Sequence, residues 1–92
     1  MRTIFKYQLK VDGEQSILMP KDAEILCVKE VKGDVFIYAY VDKNAIKEER
    51  FFIIYGTGHE IENDMWSNKK YIGTFVMLND NFVGHLFEDL KL

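Results

Sequence analysis

From Thr3 to Val11 the odd positions read Thr3, Phe5, Tyr7, Leu9, Val11, while Lys6, Gln8 and Lys10 fall between them. A period of two this regular predicts a strand with one wet face. Asp12-Gly13-Glu14 is a turn, since Gly supplies the positive φ that a reversal needs. Gln15 to Met19 then reads as a short strand that pairs back on the first, ended by Pro20, which removes a ladder donor. After a Lys21-Asp22 turn, Ala23 to Val31 is the third strand, with Ile25-Leu26-Cys27-Val28 apolar on both faces. A Lys32-Gly33-Asp34 hairpin leads into Val35 to Val41, with Phe36, Tyr38 and Tyr40 on one face and Val35, Ile37, Ala39 and Val41 on the other. Asp42 to Glu49 is a polar excursion with room for one helical turn around Ala45-Ile46. Arg50 to Tyr55 is the fifth strand. Gly56 to Lys70 has no clear period, and connections of that length are usually functional or mobile. Tyr71 to Leu78, an Asn79-Asp80-Asn81 hairpin loop and Phe82 to Phe87 complete the pattern.

No segment sustains a helical period, so the expected fold is all-β: about seven short antiparallel strands in a small sandwich or open barrel, one domain over residues 1–92. A small sandwich hides only the inner face of each strand. The fourth, fifth and sixth strands carry large apolar residues on both, either Phe52 and Ile54 or Phe51, Ile53 and Tyr55 pointing outward. A contiguous apolar patch is abnormal on a soluble monomer. Burial against an identical subunit is the simplest cover, and a homo-oligomer is expected. Cover by the two excursions is the alternative.

Charge narrows the partners. The formal net charge is −3 and no run gathers five or more Lys and Arg, so the counterion-release term that drives nucleic-acid binding has no concentrated basic surface to act through. Nucleic acid is not expected as a partner. No apolar run approaches a membrane span and the alternating start is unlike a signal peptide, so no membrane association is expected and the reading is an intracellular protein. Cys27 is the single cysteine. Between Leu26 and Val28 it reads as a buried structural thiol.

The residues with chemistry to offer collect after the fifth strand. In Tyr55-Gly56-Thr57-Gly58-His59 two glycines flank a hydroxyl, and such a turn can aim successive N–H groups into one anion-binding concavity. His59 adds a hydrogen bond whose charge is adjustable near neutral pH. Against this stands a plain glycine turn with His59 capping a carbonyl. Trp66, followed by Asn68, Lys69, Lys70 and Tyr71, offers a stacking plane beside polar groups, or else a lid on the exposed strand face. His59, His85 and Cys27 have no metal-ligand spacing, so neither metal nor cofactor is expected. Thr57, His59 and Glu60 or Glu62 could assemble a nucleophilic site only in a geometry that an extended chain does not give, and the expectation is no enzyme. His85 reads as a strand histidine facing Phe or solvent. Glu48, Glu49, Glu60, Glu62 and Asp64 form acidic clusters that read as a solvated rim, or else as a surface for a basic protein partner.

Thr3-Ile4-Phe5-Lys6-Tyr7, Met19-Pro20-Lys21 followed by Ala23-Glu24-Ile25-Leu26, Ile54-Tyr55-Gly56-Thr57-Gly58-His59, Tyr71-Ile72-Gly73-Thr74-Phe75 and His85-Leu86-Phe87-Glu88 stand in this order along the chain. In these pieces the chain resembles a family of small uncharacterised proteins encoded by bacteriophages and prophages. It departs from that pattern in the loop Glu62 to Lys70. The resemblance implies a phage accessory protein of the host bacterial cytoplasm. By analogy with small β-rich phage proteins, it would sequester a phosphate-bearing nucleotide messenger of bacterial anti-phage defence. Tyr55, Gly56, Thr57, Gly58, His59, Trp66 and Tyr71 would be its ligand-binding residues. The alternative is a phage protein that inhibits a host protein by direct contact, or a structural accessory.

Overall fold

The computed structural model describes residues 1–77, 79 and 81–90. Among these residues seven strands, β1 (Arg2–Leu9), β2 (Glu14–Pro20), β3 (Glu24–Val31), β4 (Asp34–Asp42), β5 (Lys47–Gly56), β6 (Lys69–Met77) and β7 (Phe82–Asp89), are joined by turns and one 3₁₀ turn, Asn63–Met65. They form two antiparallel sheets, β1-β4-β3 and β2-β5-β7-β6, packed as an open sandwich. The all-β expectation holds, and of its two forms the sheets adopt the sandwich. The expected Asn79-Asp80-Asn81 loop falls partly outside the described residues. The strands on either side of it pair in register, Met77 opposite Phe82.

Sequence parity decides what lies between the sheets. Val35, Ile37, Ala39 and Val41 of β4 point inward and are fully buried, opposite Phe52 and Ile54 of β5, Phe75 of β6 and Leu86 of β7. The side of β5 facing away from the core is therefore Phe51, Ile53 and Tyr55. One end of the core is sealed by an ion pair: Arg50 meets Glu88, which is 6% exposed, through Nε and through Nη2 at 3.0 Å from Oε1. Arg50 Nη1 also donates to the Ala23 carbonyl at 2.9 Å. The Glu88 hydrogen bond, opposed by burial, raises the guanidinium further above its already high range.

Several expectations are corrected here. β2 does not pair back on β1; it pairs with β5 in the other sheet, Ser16 opposite Phe51. The connection is an arch, because both strands are amphipathic and can bury their apolar sides only from opposite layers. Gln15 clamps it, accepting from Lys10 N at 2.9 Å and donating to Lys10 O at 2.7 Å. The polar excursion shrinks to a turn, with Ala45 N donating to Asp42 O at 3.0 Å, and Lys47 to Glu49 belong to β5 as partners of β2. Cys27 is half-buried and not a core thiol. A bulge between Ile25 and Cys27 turns it toward the outer face, opposite Tyr38, while Val28 enters the core.

The second bulge, between Tyr71 and Gly73, shapes the outer face of the second sheet. The bulged strands β3 and β6 border one another where the two layers meet. Gly73 permits this, since a Cβ there would lie 2.9 Å from Val28 Cγ1. A bulge inserts one unpaired residue and so reverses the facing of everything after it. Ile72 is that residue. As a result Tyr71 and Thr74 both lie on the outer face, opposite Phe87 and His85.

Candidate functional site

The outer face of the second sheet carries the candidate site. β5 and β6 lie on either side of β7, so the chain leaving β5 crosses β7 before it can return as β6. Residues 57–68 make that crossing, and they carry Trp66 over the sheet. Its ring centre stands 5.1 Å from that of Phe87 and 6.3 Å from that of Tyr55. Phe87 in turn meets Tyr55 at 5.8 Å and Tyr71 at 5.4 Å, edge-on or tilted, as ring quadrupoles prefer. The Tyr55 hydroxyl donates to the Met65 carbonyl at 3.3 Å and tethers the crossing. Burial, with smaller contributions from Asp89 and Glu14, raises the Tyr55 phenol above its ordinary value.

Beside this aromatic cluster runs a chain of hydrogen bonds. Tyr71 Oη and Thr74 Oγ1 are 2.6 Å apart, Thr74 Oγ1 is 3.0 Å from His85 Nδ1, and His85 Nε2 is 2.6 Å from Thr57 Oγ1. Between the Thr57–His85 end and the rings of Tyr55, Trp66 and Phe87 lies an open hollow of about 320 Å³. Its lining includes Gly56, Gly58, His59 and Ile61, and no Lys, Arg, Asp or Glu among the described residues.

Tyr55, Thr57, Trp66 and Tyr71 are thus gathered on one face, as cluster and chain. The glycine turn is arranged differently from the anticipated cradle. His59 N donates to Gly56 O at 3.1 Å with Gly58 at φ 85°, the reversal a type II turn requires. Thr57 N donates to Val83 O at 3.1 Å and extends the sheet. The Thr57 and His59 N–H groups are therefore already committed to carbonyls and do not converge on an anion. The His59 ring folds over Gly56 toward the core side and packs on Phe82 with ring centres 6.3 Å apart; a Cβ on Gly56 would stand 2.6 Å from it. It is His85, on the outer face, that meets Thr57.

His85 and Thr74 were missed as site residues. Their signal is faint: His85 alternates with Phe87 on β7, but its partnership with Thr57 requires knowing that β5 pairs with β7. Thr74 reaches the outer face only through the bulge at Ile72. Chemically, the Thr57–His85 pair has a hydroxyl at Nδ1 where a nucleophilic triad has a carboxylate. Among the described residues no three His, Cys, Asp or Glu side chains come together to hold a metal ion. No helix among them is long and apolar enough to cross a membrane.

The sequence profile of a domain of unknown function (DUF7352) matches residues 1–91. No curated protein and no solved structure matches the chain.

Proposed function

The chain belongs to the DUF7352 family, and from the outer face of its second sheet we propose that it is a non-enzymatic capture protein for a nucleotide-like small molecule. The observation that carries this reading is one juxtaposition: the rings of Tyr55, Trp66 and Phe87 wall a hollow whose opposite side is the Thr57–His85 hydrogen-bonded pair. Aromatic walls take the faces of flat rings, and a few convergent polar groups fix their orientation. A histidine backed by a hydroxyl, with no carboxylate behind it, favours binding over turnover. Gly58 N–H, at the rim, is the backbone donor in the turn left for a phosphate oxygen.

The remaining parts of the reading follow from the sequence. In the phage accessory protein that the resemblance implies, capture would remove a nucleotide messenger of host defence from the bacterial cytoplasm. A second copy seated on the open face would close the hollow, since Trp66 is 52% and Tyr71 56% exposed. Isothermal titration of the purified chain with cyclic nucleotides, mononucleotides and ADP-ribose derivatives tests the proposal. Saturable binding at tens of micromolar or tighter is expected for at least one class and is lost in Trp66→Ala; silence across the panel contradicts it.

A second reading rests on a separate observation. Among the described residues β1 and β2 are edge strands with unpaired outer ladders, and strand addition by a protein partner uses such edges. Retention of a specific host protein by the immobilised chain, reduced by proline substitution in β1, would favour it.

A further inference from the structure

The hydrogen-bond chain on the outer face has a property that neither of its ends shows alone. A neutral imidazole holds one N–H and each hydroxyl one proton, so a neutral His85 has two tautomers, and each fits one head-to-tail proton order through Tyr71, Thr74, His85 and Thr57. With the proton on Nδ1, His85 donates to Thr74, Thr74 to Tyr71, and Thr57 donates to Nε2, leaving Thr57 a lone pair for the hollow. With the proton on Nε2 every bond reverses, and Thr57 presents its O–H instead. Tyr71, exposed at the far end, meets water in whichever role remains. The His85 tautomer therefore sets whether Thr57 donates or accepts.

The charge around the hollow favours an uncharged ligand. No fixed cation lines it among the described residues, and the N–H groups of Thr57 and His59 are spent on Val83 and Gly56. Recognition led by phosphate relies on cations or free N–H groups. What the hollow does offer is ring surface, one hydroxyl of adjustable polarity and, at its rim, the Gly58 N–H.

We propose that the site is led by the nucleoside part of its ligand: an uncharged flat base laid against Trp66 and Phe87, its edge or a ribose hydroxyl read by Thr57, with any phosphate left at the rim. His85 is a positioning residue, because its tautomer adapts Thr57 to the ligand. This deepens the nucleotide-capture reading and rests on it.

Trp66 is the single tryptophan of the chain, so its fluorescence reports the site directly. The full chain is titrated with adenosine, guanosine, cytidine and uridine, with their monophosphates and with inorganic phosphate, while the ring ¹⁵N shifts of His85 are followed by NMR. The expected result is that at least one nucleoside changes the Trp66 signal with a Kd within about tenfold of its monophosphate's, while inorganic phosphate leaves it unmoved. Binding should shift His85 toward one tautomer, and Thr57→Val should weaken the nucleoside about tenfold, one net hydrogen bond. A monophosphate that binds while its nucleoside does not would overturn the nucleoside-led site and leave nucleotide capture standing. Nucleoside binding with unmoved His85 shifts and an unaffected Thr57→Val would overturn the role of the chain. Binding of neither class overturns both.

Discussion

Thr74 Oγ1 stands 3.0 Å from His85 Nδ1 because Ile72 is left unpaired three residues after β6 begins. Without that bulge, strict alternation from Tyr71 would aim Thr74 at the core and Phe75 outward. A single extra residue thus serves both the core, which receives Phe75, and the outer face, which receives a hydroxyl for the histidine. The hydrogen-bonded chain and the packing are set by the same backbone irregularity.

Gly84 should tolerate no side chain. A Cβ there would lie 2.4 Å from Phe75 Cζ, in a core whose atoms cannot move far. Gly84→Ala is expected to destabilise the fold by about 1–3 kcal/mol through overpacking. Urea denaturation followed by circular dichroism checks this, and a change of a few tenths of a kcal/mol would mean that the Phe75 ring has room to rotate away.

The ion pair at the core end gives a sharper contrast. Glu88→Ala leaves the Arg50 guanidinium without its acid and should cost about 3 kcal/mol, the low end for a buried pair because Arg50 keeps 18% of its side-chain exposure. The double replacement Arg50→Met with Glu88→Met should return to within about 1 kcal/mol of the parent, since desolvation of both charges is relieved together. Equal losses in the single and double variants would show that the pair itself supplies the stability.

Alkaline pH should weaken the fold through two phenols. Burial raises Tyr7 and, as its largest cause, Tyr55, so the folded chain holds these protons to higher pH than the unfolded chain, whose phenols titrate near about 10. The stability they contribute is complete below about pH 10 and is lost as pH rises through the raised native values. Absorbance titration near 295 nm should show late-titrating phenols in the parent and one fewer in Tyr55→Phe. Five phenols titrating together at the unfolded value would contradict the assigned burial.

Much of the fold was legible because alternation is local. Val35, Ile37, Ala39 and Val41 announce an inward face in their own strand, and the Lys32-Gly33 hairpin follows from two residues at positive φ, 52° and 87°. Pairing across layers was not legible: nothing in Gln15–Met19 says that its partner is β5 and not β1. The site divides in the same way. Tyr55, Thr57, Trp66 and Tyr71 could be singled out as unusual side chains near a glycine turn. Which histidine joined them depended on long-range register and a bulge, and His59, one turn from Thr57 in sequence, went to Phe82 instead.

The apolar surplus of β5 is partly resolved within one chain. Ile53, on the outer side, is 5% exposed beside Phe87 and its neighbours, while Trp66 shelters Phe87. Leu18, Tyr71 and Val76 stay open on the same sheet. A second copy covering them should appear in size-exclusion chromatography with light scattering as a dimer or higher species at micromolar concentration. Tyr71→Lys should shift it toward monomer; a monomer throughout would leave capture to a single chain.

Backbone amide chemical-shift mapping decides whether a nucleotide-like molecule sits on the outer face of the second sheet. Titration of the ¹⁵N-labelled chain with the best-binding nucleotide should move Thr57, Gly58, Trp66, His85 and Phe87 together while Phe36, Tyr38 and Tyr40 on the opposite sheet stay still. Shifts confined to that opposite sheet, or none at saturating concentration, would contradict the account.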